Sequence, residues 1–342
     1  MKVQYILEKI FCFLKCPLKS CFKVNCIIKL MEIRITCISA GKIDHASSRL
    51  RSYYLFEKHE KLNIKVLRVE NFSELIKGNL IHIHQVFSYQ ALFYILLYRI
   101  LGKTVVFDFA DHSPGFKNFL ATFFTLFFAS IVSVNTMKRK KYWESKLPWK
   151  NIIHIPDVAD YSNDFIVKPR TIRNIDKNSF LWFGHSSNFK SIKDTFTFLS
   201  KQRNIKLTII SDSKWLQDYS TEFKKIDYHE WSIDFDFSKI NFSGFVILSH
   251  FNDLYGEYKS NNKMVTSFLN GFIPIVSSTD AYIELAKKIK CQKLIYKKPQ
   301  DIIKISRSLD LSFCNKALDD SFHFIVKNYS KENVLKKFIK IT

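Results

Sequence analysis

What most limits this chain is a recurrence of short apolar runs, each closing on a polar or glycine-bearing turn and followed by a helical pattern. The runs are Ile33–Ser39, Ile64–Leu67, Leu80–His84, Lys103–Asp108, Ile152–Ile155, Phe180–Phe183, Leu207–Ser211, Phe245–Ser249 and Ile275–Val276. Most are too short for helices and apolar at successive positions, as suits strands buried on both faces of a parallel sheet. Helices are expected between them, for example over Gln90–Leu101, which stops at Gly102, and over Met264–Leu269, which ends at Gly271 with Pro274 barring further winding. The alternation falls into two series, separated by a polar, weakly patterned stretch over 161–178. The expected fold class is α/β, with two Rossmann-like doubly wound domains facing a cleft. The expected bounds are a first domain over 31–160 and a second over 161–327, with a terminal helix at 328–342 as a candidate to complete the first.

One stretch could hide a membrane span. Residues 118–137 carry no charge and include FFTLFFASIVSV. A spanning helix needs about 20 predominantly apolar residues, whereas Thr122, Thr125, Ser130 and Ser133 interrupt this one and Ile131, Val132 and Val134 are β-branched. A buried helix followed by a strand is the expected reading.

The chain is basic, with a net charge of +22 over 342 residues, which favours anionic partners. Residues 1–30 hold six lysines against one glutamate, interleaved with Ile6, Leu7, Ile10, Phe11, Phe13 and Leu14. That pattern reads as a basic amphipathic extension suited to an anionic membrane surface, or else as sequence ahead of a true start at Met31. Lysines interrupt every apolar run, so it is a poor signal peptide. Lys138–Lys141 with Trp143 form a second basic aromatic patch, either a solvated face or a membrane-surface contact. No RNA- or DNA-binding signature is present and the lysines are widely spread, so nucleic acid is not an expected partner.

The seven cysteines include Cys12, Cys16, Cys21 and Cys26, whose spacing lacks the close pairs of a zinc site. An odd, scattered set fits a reducing cytoplasm. His82 and His84 share a strand face but have no third ligand nearby, so a packing or cleft-lining role is expected and no metal. Asp234 and Asp236 form a D-x-D pair that follows no clear strand and carries little weight.

Three sets of residues suggest chemistry. Lys259, Ser260, Asn261, Asn262 and Lys263 crowd donors where the helix containing Met264 begins, a place that favours anions. The loop after the first strand leads through Ser47, Ser48, Arg49 and Arg51 into a helix, and Asp108, Asp111 and His112 close another strand end. Strand ends of this kind are where open α/β sheets bind ligands. Ordinary capping would produce the same letters at each place.

The succession WFGHSSNFKSIKD, LTIISDS and FVILSHFNDLYGEYKSNNKMVTSFLNGFIPIVSS resembles the second domain of GT-B glycosyltransferases. IHIH, VFDFADHS, SVNT and HIPDVADYS agree in outline with the first domain. The likeness extends over about residues 31–290. It is to the large family of retaining, nucleotide-sugar-dependent enzymes (family 4, group 1) that includes bacterial surface-polysaccharide transferases. The resemblance implies a nucleoside diphosphate sugar as donor substrate, a glycan or lipid-linked acceptor, no cofactor, and a cytoplasmic location, peripheral on the inner membrane face.

The resemblance also implies roles. Lys259 would be catalytic, with Asp111 and His112 positioning the acceptor hydroxyl or the donor sugar. Donor binding would fall to Gly184, His185, Asn188, Lys190, Lys193, Glu257, Ser260, Asn261, Asn262, Lys263 and Met264. Acceptor binding would fall to Ser47, Arg49, Arg51 and His84, the arginines gripping an acceptor phosphate. Family members usually carry two glutamates eight apart before the glycine turn; Tyr258 and Thr266 stand at those positions here, Glu257 lies one residue from the first, and a K-S-x-N pattern runs from Lys259 to Asn262. Because of that departure, a noncatalytic protein of the same fold that binds a glycan or a partner is the alternative.

Overall fold

The computed structural model describes residues 33–56, 64–110, 119–160, 169–223, 225–251 and 256–341. Two parallel sheets of six strands each organise them. The first contains β1 (Ile33–Ser39), β2 (Ile64–Arg68), β3 (Leu80–His84), β4 (Thr104–Phe109), β5 (Ile131–Val134) and β6 (Ile152–His154), in the order β2-β1-β3-β4-β5-β6. The second contains β7 (Ser179–Phe183), β8 (Lys206–Ser211), β9 (Ile226–Glu230), β10 (Phe245–Leu248), β11 (Ile273–Ser277) and β12 (Ile295–Tyr296), in the order β12-β11-β10-β7-β8-β9. Every residue of β3, β7, β10 and β11 is buried, as the continuous apolar runs require.

In the first half, α1 (Ala46–Ser48) passes directly into a π-helical turn over Arg49–Tyr53. Ser88 caps α2 (Tyr89–Ile100) by accepting the Ala91 N–H at 3.1 Å, and Thr136 caps α4 (Met137–Lys146) in the same way through Arg139. The uncharged stretch divides as its β-branched tail demands, into α3 (Phe119–Phe128) and strand β5, which pairs with β4 and β6. Among the described residues no helix is long and apolar enough to cross a membrane.

In the second half the helices are α5 (Lys193–Ser200), α6 (Lys214–Tyr219), α7 (Asn262–Leu269), α8 (Asp280–Lys288), α9 (Pro299–Ser308) and α10 (Leu311–Tyr329). Helix α7 ends as its glycine suggests. Gly271 has φ +78° and donates to Phe268 O, while Phe272 N donates to Ser267 O, the paired bonds of a Schellman closure. Pro274, expected only to bar the helix, lies inside β11 opposite Val246. It is tolerated because β12 pairs only with Val276 and Ser277, so the absent N–H breaks no rung on that side.

The chain crosses between the sheets twice. The first crossing runs through residues 155–160, and the second follows α10, where Ser330 takes an extended conformation before α11 (Lys331–Ile341). The Ala159 N–H donates to Tyr329 O at 2.8 Å, tying the crossings together. Val334, Leu335 and Phe338 of α11 pack into the first sheet's core with Cys37, Phe56 and Val106.

Candidate functional site

The second sheet changes direction between β7 and β10, and the crevice beyond those carboxyl ends is where a doubly wound fold binds ligands. Gly184 follows β7 at once with φ +151°, and a Cβ there would collide with Lys263 Nζ. Glycine thus lets the lysine reach the backbone. The Gly184 N–H donates to Ile210 O at 3.0 Å and its carbonyl accepts Ser211 Oγ at 2.7 Å, so the turn is held by β8.

Two cations converge on this turn from the start of α7. Lys259 Nζ donates to Asn188 Oδ1 at 3.0 Å. Lys263 Nζ lies 5.1 Å from the Trp182 ring centre and 6.0 Å from that of Phe183. Loss of water in these surroundings, reinforced by the charge of Lys259, lowers the Lys263 pKa to about 7. No carboxylate among the described residues pairs with it. An ammonium so placed is a ready partner for an anion lying on the glycine turn.

The residues just before α7 are fastened to the crossings. Ser260 Oγ donates to Asp157 Oδ2 in a short bond, and Asn261 Nδ2 donates to Tyr329 OH at 3.0 Å. Asp157 Oδ1 in turn accepts Arg51 Nη1 at 2.9 Å. Arg51 grips Asp108 with both Nε (2.8 Å) and Nη2 (2.6 Å) and also donates to Ile155 O. His84 Nδ1 and Ser133 Oγ complete the shell of Asp108. Burial alone would raise the Asp108 carboxyl, but the Arg51 charge and these bonds hold it well below the usual carboxylate range.

These contacts correct several expectations. Arg51 is fully buried and committed to Asp108, Asp157 and Ile155, so it does not present a guanidinium to an acceptor phosphate. His84 is equally buried, an interior ligand of Asp108. His82, by contrast, packs as expected: it stacks on His84 and sits against Phe56 and Phe338, and burial lowers its pKa to about 3, leaving it neutral. Met264 belongs to the second core, not to the site surface. Lys193 pairs with Glu222 at 2.7 Å and lies over Tyr219, turned from the glycine turn. Trp143 of the expected basic patch is buried and Lys138 is engaged by Glu257 and Asp280, so neither is offered to a membrane, whereas Lys141 stays exposed.

Other expected residues do gather. Gly184, Asn188, Lys259 and Lys263 meet at the turn, with Asn262 half-buried as the first residue of α7. His185 and Lys190 are exposed on the segment after the turn, where His185 Nδ1 meets Ser187 and its Nε2 lies 3.7 Å from Asp212. Arg49, by contrast, is buried and committed like Arg51. It makes a two-point bond to Asp160 at 2.7 and 3.2 Å and donates to Ile43 O and Asp44 O, with its guanidinium carbon 5.3 Å from the Trp231 ring centre, so it is not offered to an acceptor phosphate. Ser47 is half-buried in α1. Asp111 and His112 lie outside the described residues.

Glu257 does not face the turn. It bonds Lys138 and lines an open groove with His154, Asp280, Glu284 and Lys288. Thr266, at the place of the second family glutamate, is buried in α7. Asp236 caps the short helix that follows it through Ser238, which accounts for one half of the D-x-D pair. Among the described residues no three His, Cys, Asp or Glu side chains are grouped as metal ligands.

Sequence reasoning missed the ties Asp157–Ser260 and Asn261–Tyr329, whose partners lie 103 and 68 residues apart. It also missed Gln85. This residue follows β3, beside the first sheet's own reversal between β1 and β3, and takes a left-handed φ of 55°.

No family model matches the sequence, and no curated protein does. Solved structures match in fold. The Anabaena HepE protein, solved with UDP and glucose, has a TM-score of 0.61 at 12% identity, covering 91% of this chain and 99% of its own. An alpha-glucosyltransferase bound to UDP and a 13-mer DNA also gives 0.61 at 12% identity, over 91% and 99% of the two chains.

The chain has the GT-B fold. An Escherichia coli trehalose-6-phosphate protein, bound with UDP-2-fluoro glucose, is a further match in fold, with a TM-score of 0.54 at 11% identity over 90% and 98% of the two chains. At such identities the likeness fixes architecture and leaves this chain's own site to speak for its chemistry.

Proposed function

We propose that this GT-B chain is a glycosyltransferase that moves a sugar from a nucleoside diphosphate sugar to a glycan or lipid-linked acceptor. The observation that carries the reading is the meeting of Lys259 and Lys263 with the Gly184 turn at the point where the second sheet reverses. The UDP complexes of the matched structures give that crevice a chemically consistent occupant.

In the reaction the acceptor oxygen bonds to the anomeric carbon as the bond from that carbon to the diphosphate oxygen breaks. The bonding electrons pass to the diphosphate and the hydroxyl proton leaves with it or to solvent. Negative charge therefore grows on the leaving group, where Lys259 and Lys263 stabilise it. With two protein cations in that position the chemistry proceeds by our reading without a metal, and retention is the outcome we infer from the sequence resemblance alone. A cytoplasmic role in surface-polysaccharide synthesis is the biological setting we infer from the sequence resemblance.

Lys259→Ala is expected to abolish sugar transfer while the thermal unfolding midpoint stays at the wild-type value. Full transfer activity in that variant rejects the assignment. A panel of nucleotide sugars, scored by the rise in melting temperature that native-state binding produces, identifies the donor.

A second reading, a noncatalytic binding protein of the same fold, draws on the buried Thr266 and on Glu257 being held by Lys138. It predicts nucleotide binding without turnover.

A further inference from the structure

Helices α2, α3 and α4 each follow a strand of the run β3-β4-β5 and lead to its next neighbour. Right-handed crossovers progressing in one direction place all three on the same side of the first sheet. Their outer surface is unusual. Helix α2 buries Ala91, Ile95 and Tyr98, as a covering helix should, yet its opposite stripe is also apolar: Tyr89, Phe93 and Ile100 are 65%, 61% and 81% exposed. Helix α3 carries no charge and turns Leu120 and Phe124 outward. Trp149, just beyond α4, is 61% exposed and lies edge-on to Phe127 of α3, which joins it to the same surface.

Helices apolar on both faces do not rest stably in water unless something covers the second face. Elsewhere in the first half Ile43, Leu67 and Ile76 are exposed singly, in separate segments. Around the second sheet, Leu216 and Val326 are the large hydrophobics exposed among the described residues, and they lie on different helices.

The charges beside this surface indicate what covers it. Arg99 at the end of α2 and Lys141 and Lys146 on α4 are exposed, while Glu144 is engaged by Lys140 at 3.6 Å. Lys150, the nearest cation to Trp149 in sequence, turns its ammonium inward to the carbonyls of Phe127 and Ala129. Aromatic and aliphatic side chains rimmed by unopposed cations match a bilayer interface, where rings sink among the headgroups and long cations reach anionic lipid. A protein partner would more usually meet a rim of mixed sign.

We infer that the outer face of α2 and α3, with Trp149 at its edge, docks onto an anionic lipid surface. The inference rests on this face alone and stands apart from the donor-site reading. It also recasts the Lys138–Trp143 patch: Lys138 is paired and Trp143 is buried, and Lys141 alone of its exposed cations joins the rim.

The test uses the full chain with vesicles of phosphatidylcholine, with or without phosphatidylglycerol. Wild type is expected to sediment with the anionic vesicles, and brominated lipid should quench its tryptophan emission. Phe93→Ser combined with Ile100→Ser and Phe124→Ser should weaken vesicle binding roughly tenfold or more at an unchanged melting temperature. Trp149→Phe should remove most of the bromine quenching while binding persists. Unaltered vesicle binding by the serine variant overturns the inference, as does quenching that survives Trp149→Phe. A wild type that ignores vesicles but sediments as a dimer, with the serine variant monomeric, overturns it in favour of self-association.

Discussion

Lys263 gives the donor-site reading a quantitative handle, because its half-buried ammonium is partly shielded from water by Trp182 and Phe183 before any ligand arrives. Burial against Trp182 and Phe183, with Lys259 nearby, lowers its pKa from 10.5 to about 7. In the unliganded protein the sign is unfavourable to folding. The native state holds fewer protons than the unfolded chain between about pH 7 and 10.5, so this group's contribution to stability rises with pH through that window and is a fixed penalty below it.

An adjoining diphosphate reverses the balance by favouring the charged form. Near pH 6 the lysine is already protonated and binding proceeds directly. At pH 8 only about a tenth of the free protein carries that proton, so binding must take up roughly 0.9 of a proton and the affinity falls about tenfold per further pH unit. UDP-glucose is a suitable probe because its diphosphate diester keeps a constant charge over this range. Calorimetric titration at pH 8 in phosphate and in Tris, whose ionisation heats differ, reports the proton uptake directly. Lys263→Met should weaken binding at pH 6 and abolish both the uptake and the pH slope. Binding with no proton uptake and no change from pH 6 to 9 would falsify the placement of the diphosphate on Lys263, and a slope that persists in Lys263→Met would assign it to another group.

Gly184→Ala should lower stability by about 1–3 kcal/mol, since alanine must adopt the glycine's φ and its Cβ strikes Lys263 Nζ. Chemical denaturation should show that cost shrinking when Lys263→Ala is added, because the two sites touch; strict additivity argues against the contact. Asp108→Asn removes the carboxylate that Arg51 grips at two points, leaving Asp157 as its one buried counter-charge, and should cost roughly 3–5 kcal/mol in urea unfolding. Because the native Asp108 pKa is depressed, its contribution is present at neutral pH and lost as pH falls through the native value, so the variant should show a shallower loss of stability in acid. A loss below about 1 kcal/mol would mean that Arg51 finds water or another acceptor.

Much of the architecture was legible because it follows from local chemistry. The runs LIHIH, KTVVFD, LTIIS and FVILS lie in strands, and the interrupted stretch around Ala129 became a helix and a strand, since serines, threonines and β-branched residues disfavour one long helix. Strand β9, IDYHE, escaped because it is a polar edge strand without an apolar run. At the site, the local signals at Gly184 and at the start of α7 were readable. What an arginine holds was not: Arg51 and Arg49 are two residues apart and both buried, yet they pair with different acids, Asp108 and Asp160, 57 and 111 residues away. The glutamates' absence was legible, but not that Glu257 turns to Lys138, because that pairing joins residues on opposite sides of the cleft.

The same long-range contacts bear on how the site works. Ser260 immediately follows Lys259, and its partner Asp157 is clamped by Arg51, which is itself locked to Asp108 in the first sheet. Asn261 is held by Tyr329 at the other crossing. The lysines are therefore positioned against the Gly184 turn from two directions: by α7, which belongs to the second core, and by a hydrogen-bonded line that ends inside the first. A shift of either crossing pulls on Ser260 or Asn261 before it disturbs β7 or β10. The relative placement of the two sheets and the spacing between Lys259, Lys263 and Gly184 are thus linked variables, so the anion site takes its shape from the whole molecule although its ligating groups lie within the second half.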